Sequence, residues 1–460
     1  MSAHVLKHWE PESTQFWQQT GERVARRNLW ISIPALMLAF SVWMLWSVVV
    51  VNLDKAGFAL SKNQMFWLTA LPALSGATLR IFYSFLVPVF GGRKWTAIST
   101  ASLLIPALGM GFALRDPGTG YPTLLLLALL CGLGGGNFSS SMANISFFFP
   151  KAKKGFATGL NAGIGNLGVS LVQFLTPLVI SSAVFGALAG GGQTLVHDGA
   201  QQTIWLQNAG FIWVPFIVAA TLAAWFGMND IADAKASFAD QAVIFKRKHN
   251  WLMCWLYIGT FGSFIGFSAG LAMLTKSQFP QVDPTQYAFI GPLLGALVRP
   301  LGGWLSDRIG GARVTLWTFA GMIAAVFGVL HFLPGAGAGN FQGFLGTFIV
   351  LFVLTGIGNG ATFRMIPVIF LTERQRAAAG RGADAQRQAL LDGNKEAAAV
   401  LGFSGAIGAY GGFFIPKSFG TAIEFTGTPH AALYCFIVFY LSCMAVTWWH
   451  YARRHAPMPC

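Results

Sequence analysis

From Asn28 to Tyr451 the chain is one apolar run after another, separated by short polar loops. A helix needs ~20 apolar residues to cross the hydrocarbon core, where lipid offers the backbone no hydrogen-bond partners. These runs are long enough for that, and too long and continuous for the alternating pattern of an outer-membrane barrel. Hydropathy predicts an all-α membrane protein with twelve transmembrane spans. They fall at about 29–52, 64–90, 94–114, 121–149, 155–186, 203–228, 251–275, 285–306, 312–334, 342–371, 396–424 and 429–452. Composition agrees: 10% of residues are charged, where a soluble domain carries roughly 25%.

The formal net charge of +14 invites a nucleic-acid partner, but the placement of the charges rejects one. Lys55, Lys62, Arg115 and Lys276 are the cations of one set of loops, and Arg80, Arg299, Arg364 and Lys417 lie within or at the edges of apolar runs. Every other Lys and Arg falls in the alternate segments, including both tails. This is the positive-inside bias of an even number of spans, with both termini predicted in the cytoplasm. The first 28 residues carry Glu10, Pro11, Glu12 and Glu22 and no apolar core, so they read as a polar cytoplasmic tail rather than a signal peptide. The five cysteines are scattered, without CxxC, CxxCH or HxxxH spacing, so the sequence calls for no metal and no cofactor.

The chain is also two copies of one plan. Gly76 to Thr96 (GATLRIFYSFLVPVFGGRKWT) aligns without a gap on Gly295 to Thr315 (GALVRPLGGWLSDRIGGARVT), nearly half the chain away. Span four carries CGLGGGNFSSSM and span ten TGIGNGATFRM; span five carries GLNAGIGNLG and span eleven GFSGAIGAYG. In the last pair Gly159, Gly165 and Gly168 match Gly402, Gly408 and Gly411. Ordered echoes of this kind mark an internal duplication, giving two pseudo-symmetric six-helix bundles. The expected layout is a tail at 1–28, a bundle at 29–228, a linker at 229–249, a second bundle at 250–453 and a tail at 454–460. The polar stretch from Thr372 to Lys395 reads as a partly helical loop.

Each copy places one arginine inside a span, Arg80 and Arg299. An intramembrane ionisable residue is a functional-site hypothesis by default, against the plainer reading of a snorkelling side chain. Occurrence at equivalent places favours function, and predicts two arginines facing one central cavity. Two fixed cations in a low-dielectric space repel, and each also carries a desolvation cost of several kcal/mol. A bound anion offsets both. No Asp, Glu or His lies mid-span to relay protons, and guanidinium does not deprotonate. A carrier that is comfortable only when loaded behaves as an exchanger. Planar paired donors suit oxyanions, and the aromatic neighbourhood of Phe138, Tyr257, Phe261 and Phe264 favours a small planar monoanion, although most phenylalanines simply pack. The glycine bands of spans five and eleven allow helices to approach closely. Asn161 and Asn166 are too polar for lipid, and at a spacing of five only one need point at the cavity.

These motifs resemble the major facilitator superfamily, and within it the nitrate/nitrite porter family of the NarK type. GGWLSDRIGGARV is similar to the superfamily's loop motif, although Pro88 stands where Asp307 would be matched in the first copy. GLNAGIGNLG and GFSGAIGAYGGFFIPK are similar to the family's paired nitrate signature; RNLWISIPALMLAF, ANISFFFPK, TFGSFIGFSAG and AAWFGMND extend the likeness over essentially the whole chain. The resemblance implies that Arg80 and Arg299 clamp nitrate, that Phe138, Asn166, Tyr257 and Phe261 form the pocket, and that Gly163, Gly402 and Gly405 line it or its hinges. It implies nitrate for nitrite exchange across a bacterial inner membrane by a monomeric, lipid-embedded transport unit, in functional partnership with respiratory nitrate reductase. Some relatives are proton–nitrate symporters, a branch the missing carboxylate disfavours; exchange of another small oxyanion stays open. A membrane redox enzyme would need haem ligands that the spans lack, and a transport-dead anion sensor would need an output domain. The protein is therefore expected not to be an enzyme.

Overall fold

The computed structural model describes residues 4–197, 200–232, 242–335 and 339–460; the middle of the expected linker, 233–241, lies outside the described residues. Among the described residues twelve helices are long and apolar enough to cross a membrane. They are α1 (Thr14–Asn52), α2 (Lys62–Phe90), α3 (Gly92–Ala113), α4 (Tyr121–Phe148), α5 (Lys151–Ile180), α6 (Asn208–Gly227), α7 (Lys248–Gln278), α8 (Pro284–Ile309), α9 (Gly311–Phe332), α10 (Phe341–Ala377), α11 (Ala383–Thr426) and α12 (His430–Ala452).

Several helices run past the apolar windows. α1 begins inside the polar tail, where the Ser13 hydroxyl accepts from Phe16 N and Trp17 is buried against Phe149. Hydropathy averages such an amphipathic turn away, because its Gln and Glu residues outweigh one anchoring indole. α10 and α11 likewise consume the stretch read as a partly helical loop, leaving only 378–382 between them. Its Ala, Arg and Gln residues are strong helix formers.

The chain divides into two compact units, Met1–Ala236 with Ser268–Phe289, and Ser237–Phe267 with Ile290–Cys460. In the first unit α2 packs along α4, and α1 lies against both α4 and α5. A short parallel pair, β1 (Val5–Leu6) with β4 (Asp230–Ile231), ties the tail to the end of α6, and Asn28 and Asn229 exchange hydrogen bonds beside it. β2 (Gln193–His197) and β3 (Ala200–Ile204) form a hairpin between α5 and α6. The C-terminal stretch of α7 belongs to this unit: Gln173 Nε2 donates to Ser268 O at 2.8 Å, and Lys276 Nζ donates to Val51 O at 2.6 Å and to Asp54 Oδ1 at 2.5 Å.

In the second unit α10 packs against α8, α9 and α11. α7 contains a π-helical turn at Ile258–Gly262. Glycines there let α11 press in: a Cβ on Gly408 would meet the Tyr257 ring at 2.8 Å, and one on Gly262 the Gly408 carbonyl at 2.7 Å. Glu396, 4% exposed, is held by Arg247 at 3.0 Å and by both Nε and Nη2 of Arg374. α11 starts thirteen residues before Glu396, so this carboxylate lies inside the helix rather than at its first turn.

Candidate substrate site

Arg80 sits on α2 with no solvent exposure. What brings it there is the glycine run of α4. Gly76 of α2 and Gly135 of α4 cross so closely that a Cβ on Gly135 would stand 2.8 Å from Gly76 Cα, with Trp43 of α1 packed over both. Neighbouring Gly132 and Gly134 have no more room: a Cβ on either would overlap Ser75 or the Ala39 carbonyl. In a membrane, where helix association depends on packing rather than on water, small residues permit this approach. The result presents the Gly135 carbonyl to Arg80, whose Nε donates to it at 2.8 Å. The guanidinium carbon lies 4.7 Å from the Phe138 ring centroid, 4.8 Å from Trp43 and 5.8 Å from Phe40. The ring quadrupoles there attract the cation and offset part of its desolvation. Trp43 is itself pinned by donating Nε1 to Pro72 O at 2.7 Å.

The second unit repeats the construction with different side chains. α8 and α10 meet through Gly295, Gly302, Gly356 and Gly360, where an added Cβ would strike the facing backbone. Arg299 is half-buried on α8. Its Nη2 lies 3.4 Å from the Tyr257 hydroxyl, and its guanidinium carbon is 5.2 Å from the Phe363 ring. Its Nη1 is buried and makes no hydrogen bond among the described residues. Tyr257 stacks on Phe261, with ring centroids 5.3 Å apart and planes 21° from parallel.

The structure thus joins Phe138 to Arg80, and Tyr257, with Phe261 behind it, to Arg299. Trp43, Phe40 and Phe363 belong to these two sets and were not legible in the sequence. Nothing sets Trp43 and Phe40 apart from other aromatics of an apolar run, although Phe363 does precede Arg364, another cation in the same helix. Phe264 packs on Gly295 and edge-on to Phe352. Asn161 and Asn166 are both buried on α5, each with an Oδ1 that has no partner among the described residues, and Asn161 Nδ2 donates to Ser141 Oγ at 2.8 Å. Gly163 and Gly402 have open space where a Cβ would go, and Gly405 is buried on α11. The three matched glycine pairs divide in the same way in both units. Gly159 and Gly402 face open space, while Gly165 with Gly408 and Gly168 with Gly411 are forced by close contacts.

Twelve apolar helices carrying one arginine at equivalent places in two related units define a polytopic helical membrane protein built by duplication. Residues 31–385 match the model of the Major Facilitator Superfamily. The chain is 53% identical to the nitrate/nitrite transporter NarU of Salmonella typhimurium over 98% of its own length and 97% of the relative's, and 51% identical to NarU of Escherichia coli over the same shares. It is 42% identical to a probable nitrate/nitrite antiporter, NarK2, of Thermus thermophilus, over 99% of its length and 98% of the relative's. A crystal structure of a bacterial homologue of the human lysosomal transporter Spinster, in an inward-facing and occupied conformation, shares the fold at a TM-score of 0.58 and 15% identity, covering 90% of this chain and 95% of that one. The protein belongs to the major facilitator superfamily, on the branch of the nitrate/nitrite porters.

Proposed function

We propose that this protein exchanges nitrate for nitrite across the membrane by alternating access, with Arg80 and Arg299 as the anion's charged ligands. The observation that carries the reading is the pair of arginines at equivalent places on α2 and α8, each guanidinium flanked by aromatic rings and hydrogen-bonded within its own unit. Such an arrangement presents planar guanidinium groups that suit a planar oxyanion and offers ring faces against which it can lie. The names of the relatives, nitrate/nitrite transporters and antiporters, supply the chemical identity of the anion.

Exchange rather than proton symport is favoured by where the buried carboxylates are. Asp230 and Glu396 are both engaged by arginines, Asp230 by Arg93 and Glu396 by Arg247 and Arg374. Each already serves as an ion-pair partner, and breaking a buried pair is costly, so neither is free to act as a proton carrier. With no proton to compensate charge, a positively lined site returns most readily with a second anion bound. The inward and outward states then interconvert when loaded, and nitrite serves as the return ligand for nitrate.

Counterflow in proteoliposomes tests this. Liposomes loaded with nitrite should take up labelled nitrate with no pH gradient, and nitrite-free liposomes should not. Uptake that requires a pH gradient and ignores internal nitrite would sink the antiport reading and leave symport.

A further inference from the structure

Inside the first unit, α1, α3 and α4 line a small polar cavity with about 10 Å³ of space for a water's centre. Its walls are Ser32, Ala35 and Leu36 of α1, Thr96, Ser99 and Thr100 of α3, and Asn137, Ser140 and Ser141 of α4. Most of its polar atoms are matched. Ser32 Oγ and Ser141 Oγ share a hydrogen bond of 2.8 Å, Ser99 Oγ donates to Thr96 O, Ser140 Oγ donates to Asn137 O, and Asn137 Nδ2 donates to Ser99 O. Two are not. Thr100 Oγ1 and Asn137 Oδ1 are buried, on residues 1% and 5% exposed, and have no partner among the described residues.

These two atoms are complementary. A threonine hydroxyl in a helix ordinarily donates to a carbonyl three or four residues back; Thr100 does not, and its proton is unused. The Asn137 oxygen only accepts. Each would cost about 1–3 kcal/mol if left unmatched in a low-dielectric interior. A water needs roughly 10–15 Å³ of space for its centre and two to four polar partners, and the cavity supplies both. The walls carry no charge, which excludes an anion, and the space is too small for nitrate. We propose that the first unit binds one ordered water here, accepting from Thr100 Oγ1 and donating to Asn137 Oδ1, with the Ser32 and Ser141 hydroxyl oxygens in reach of its second proton. The water bonds α3 to α4 at Asn137, one residue from Phe138.

X-ray hydroxyl-radical footprinting of the full protein in detergent, in ¹⁸O water, reads this directly, because radicals born from a bound water oxidise the apolar side chain beside it. Leu36 lines the cavity and should oxidise several-fold more than the equally buried Leu124. That excess should vanish in Asn137→Leu. A double-mutant cycle gives an independent reading. Thr100→Val and Asn137→Leu should each lower the unfolding midpoint by about 2–4 °C, and the double variant should lose much less than their sum, because removing both partners leaves nothing unmatched. Leu36 labelling no greater than that of Leu124, or strict additivity, overturns the proposal. A midpoint or a Leu36 signal that changes when sodium replaces choline at constant ionic strength also overturns it, by assigning the site to a cation.

Discussion

Replacing Arg80 by lysine keeps the charge and removes the shape, so it isolates what the planar guanidinium contributes. In the wild-type protein Nε is committed to Gly135 O at 2.8 Å and the guanidinium plane is lodged among Phe138, Trp43 and Phe40. A lysine ammonium in that space can satisfy the Gly135 carbonyl or reach an anion, but it cannot present a fork to the anion while holding the carbonyl. One charge-assisted hydrogen bond to the ligand is lost, worth about 1.5–3 kcal/mol. Weaker contact with the rings costs a further ~0.5–1 kcal/mol. Together these are about 2–4 kcal/mol, or roughly a thirty- to seven-hundred-fold loss of nitrate affinity. The half-saturating nitrate concentration in counterflow reports it, with the unfolding midpoint of the purified variant as the control for folding. Arg80→Lys with a normal midpoint and half-saturation within about twofold of wild type would refute the role of the guanidinium geometry. Arg299→Lys should behave in the same direction, through the loss of its contacts with Tyr257 and Phe363.

The glycines give a paired test of structure against function. Gly134→Ala should prevent stable folding, measured as loss of the monodisperse peak in size-exclusion chromatography, because its Cβ would overlap the Ala39 carbonyl. Gly163→Ala meets nothing within 4 Å. It should leave the unfolding midpoint unchanged or slightly raised, since alanine favours a helix by ~1 kcal/mol, and any fall in counterflow then marks Gly163 as lining the site. Glu396→Gln leaves Arg247 and Arg374 without their shared carboxylate. It should cost about 3–5 kcal/mol of stability, read as a lowered midpoint in thermal unfolding.

The helical class, the spans and the equivalent arginines were legible because they rest on chemistry that lipid enforces. An apolar run of sufficient length has few other fates, and an arginine inside one stands out against it. The amphipathic start of α1 was less legible, since its burial depends on Trp17 finding Phe149 more than a hundred residues away. The aromatic partners were least legible. Phe138 and Tyr257 could be named from the family motifs, but the nearness of Trp43 to Arg80 follows from the crossing at Gly76 and Gly135, which is a tertiary fact. The same holds for the glycine bands. Sequence shows six matched glycines, and only packing separates Gly159 and Gly402, with open space, from the four that close backbone or side-chain contacts require.

The two copies differ at the loop after their second helix, where the charged pair changes. On α8, Asp307 pairs with Arg364 of α10 at 2.5 Å. In the first copy Pro88 stands in the place of Asp307. When GLGGGN (132–137) is set on GIGNGA (356–361), Ser140 falls in the place of Arg364. Both members of the pair are gone together. The first unit has instead a pair of its own. Asp230, after α6, accepts from Arg93 N at 2.8 Å and from Arg93 Nε at 3.2 Å, and a Cβ on Gly91, where φ is +88°, would clash with its carboxylate. In each copy this loop carries an acid together with its basic partner, and where one member of a pair is missing the other is missing too. The two pairs are not equal in strength. Arg93 and Asp230 are 6% and 9% exposed, whereas Arg364 and Asp307 are 48% and 54% exposed. Exposed pairs contribute about 0–1 kcal/mol, and breaking a buried one costs about 3–5 kcal/mol. Asp230→Asn should therefore lower the unfolding midpoint several times further than Asp307→Asn, and raising the salt concentration should not close the gap, because screening weakens the exposed pair first. Equal losses from the two substitutions would show that the loop of the first unit is not anchored by this carboxylate.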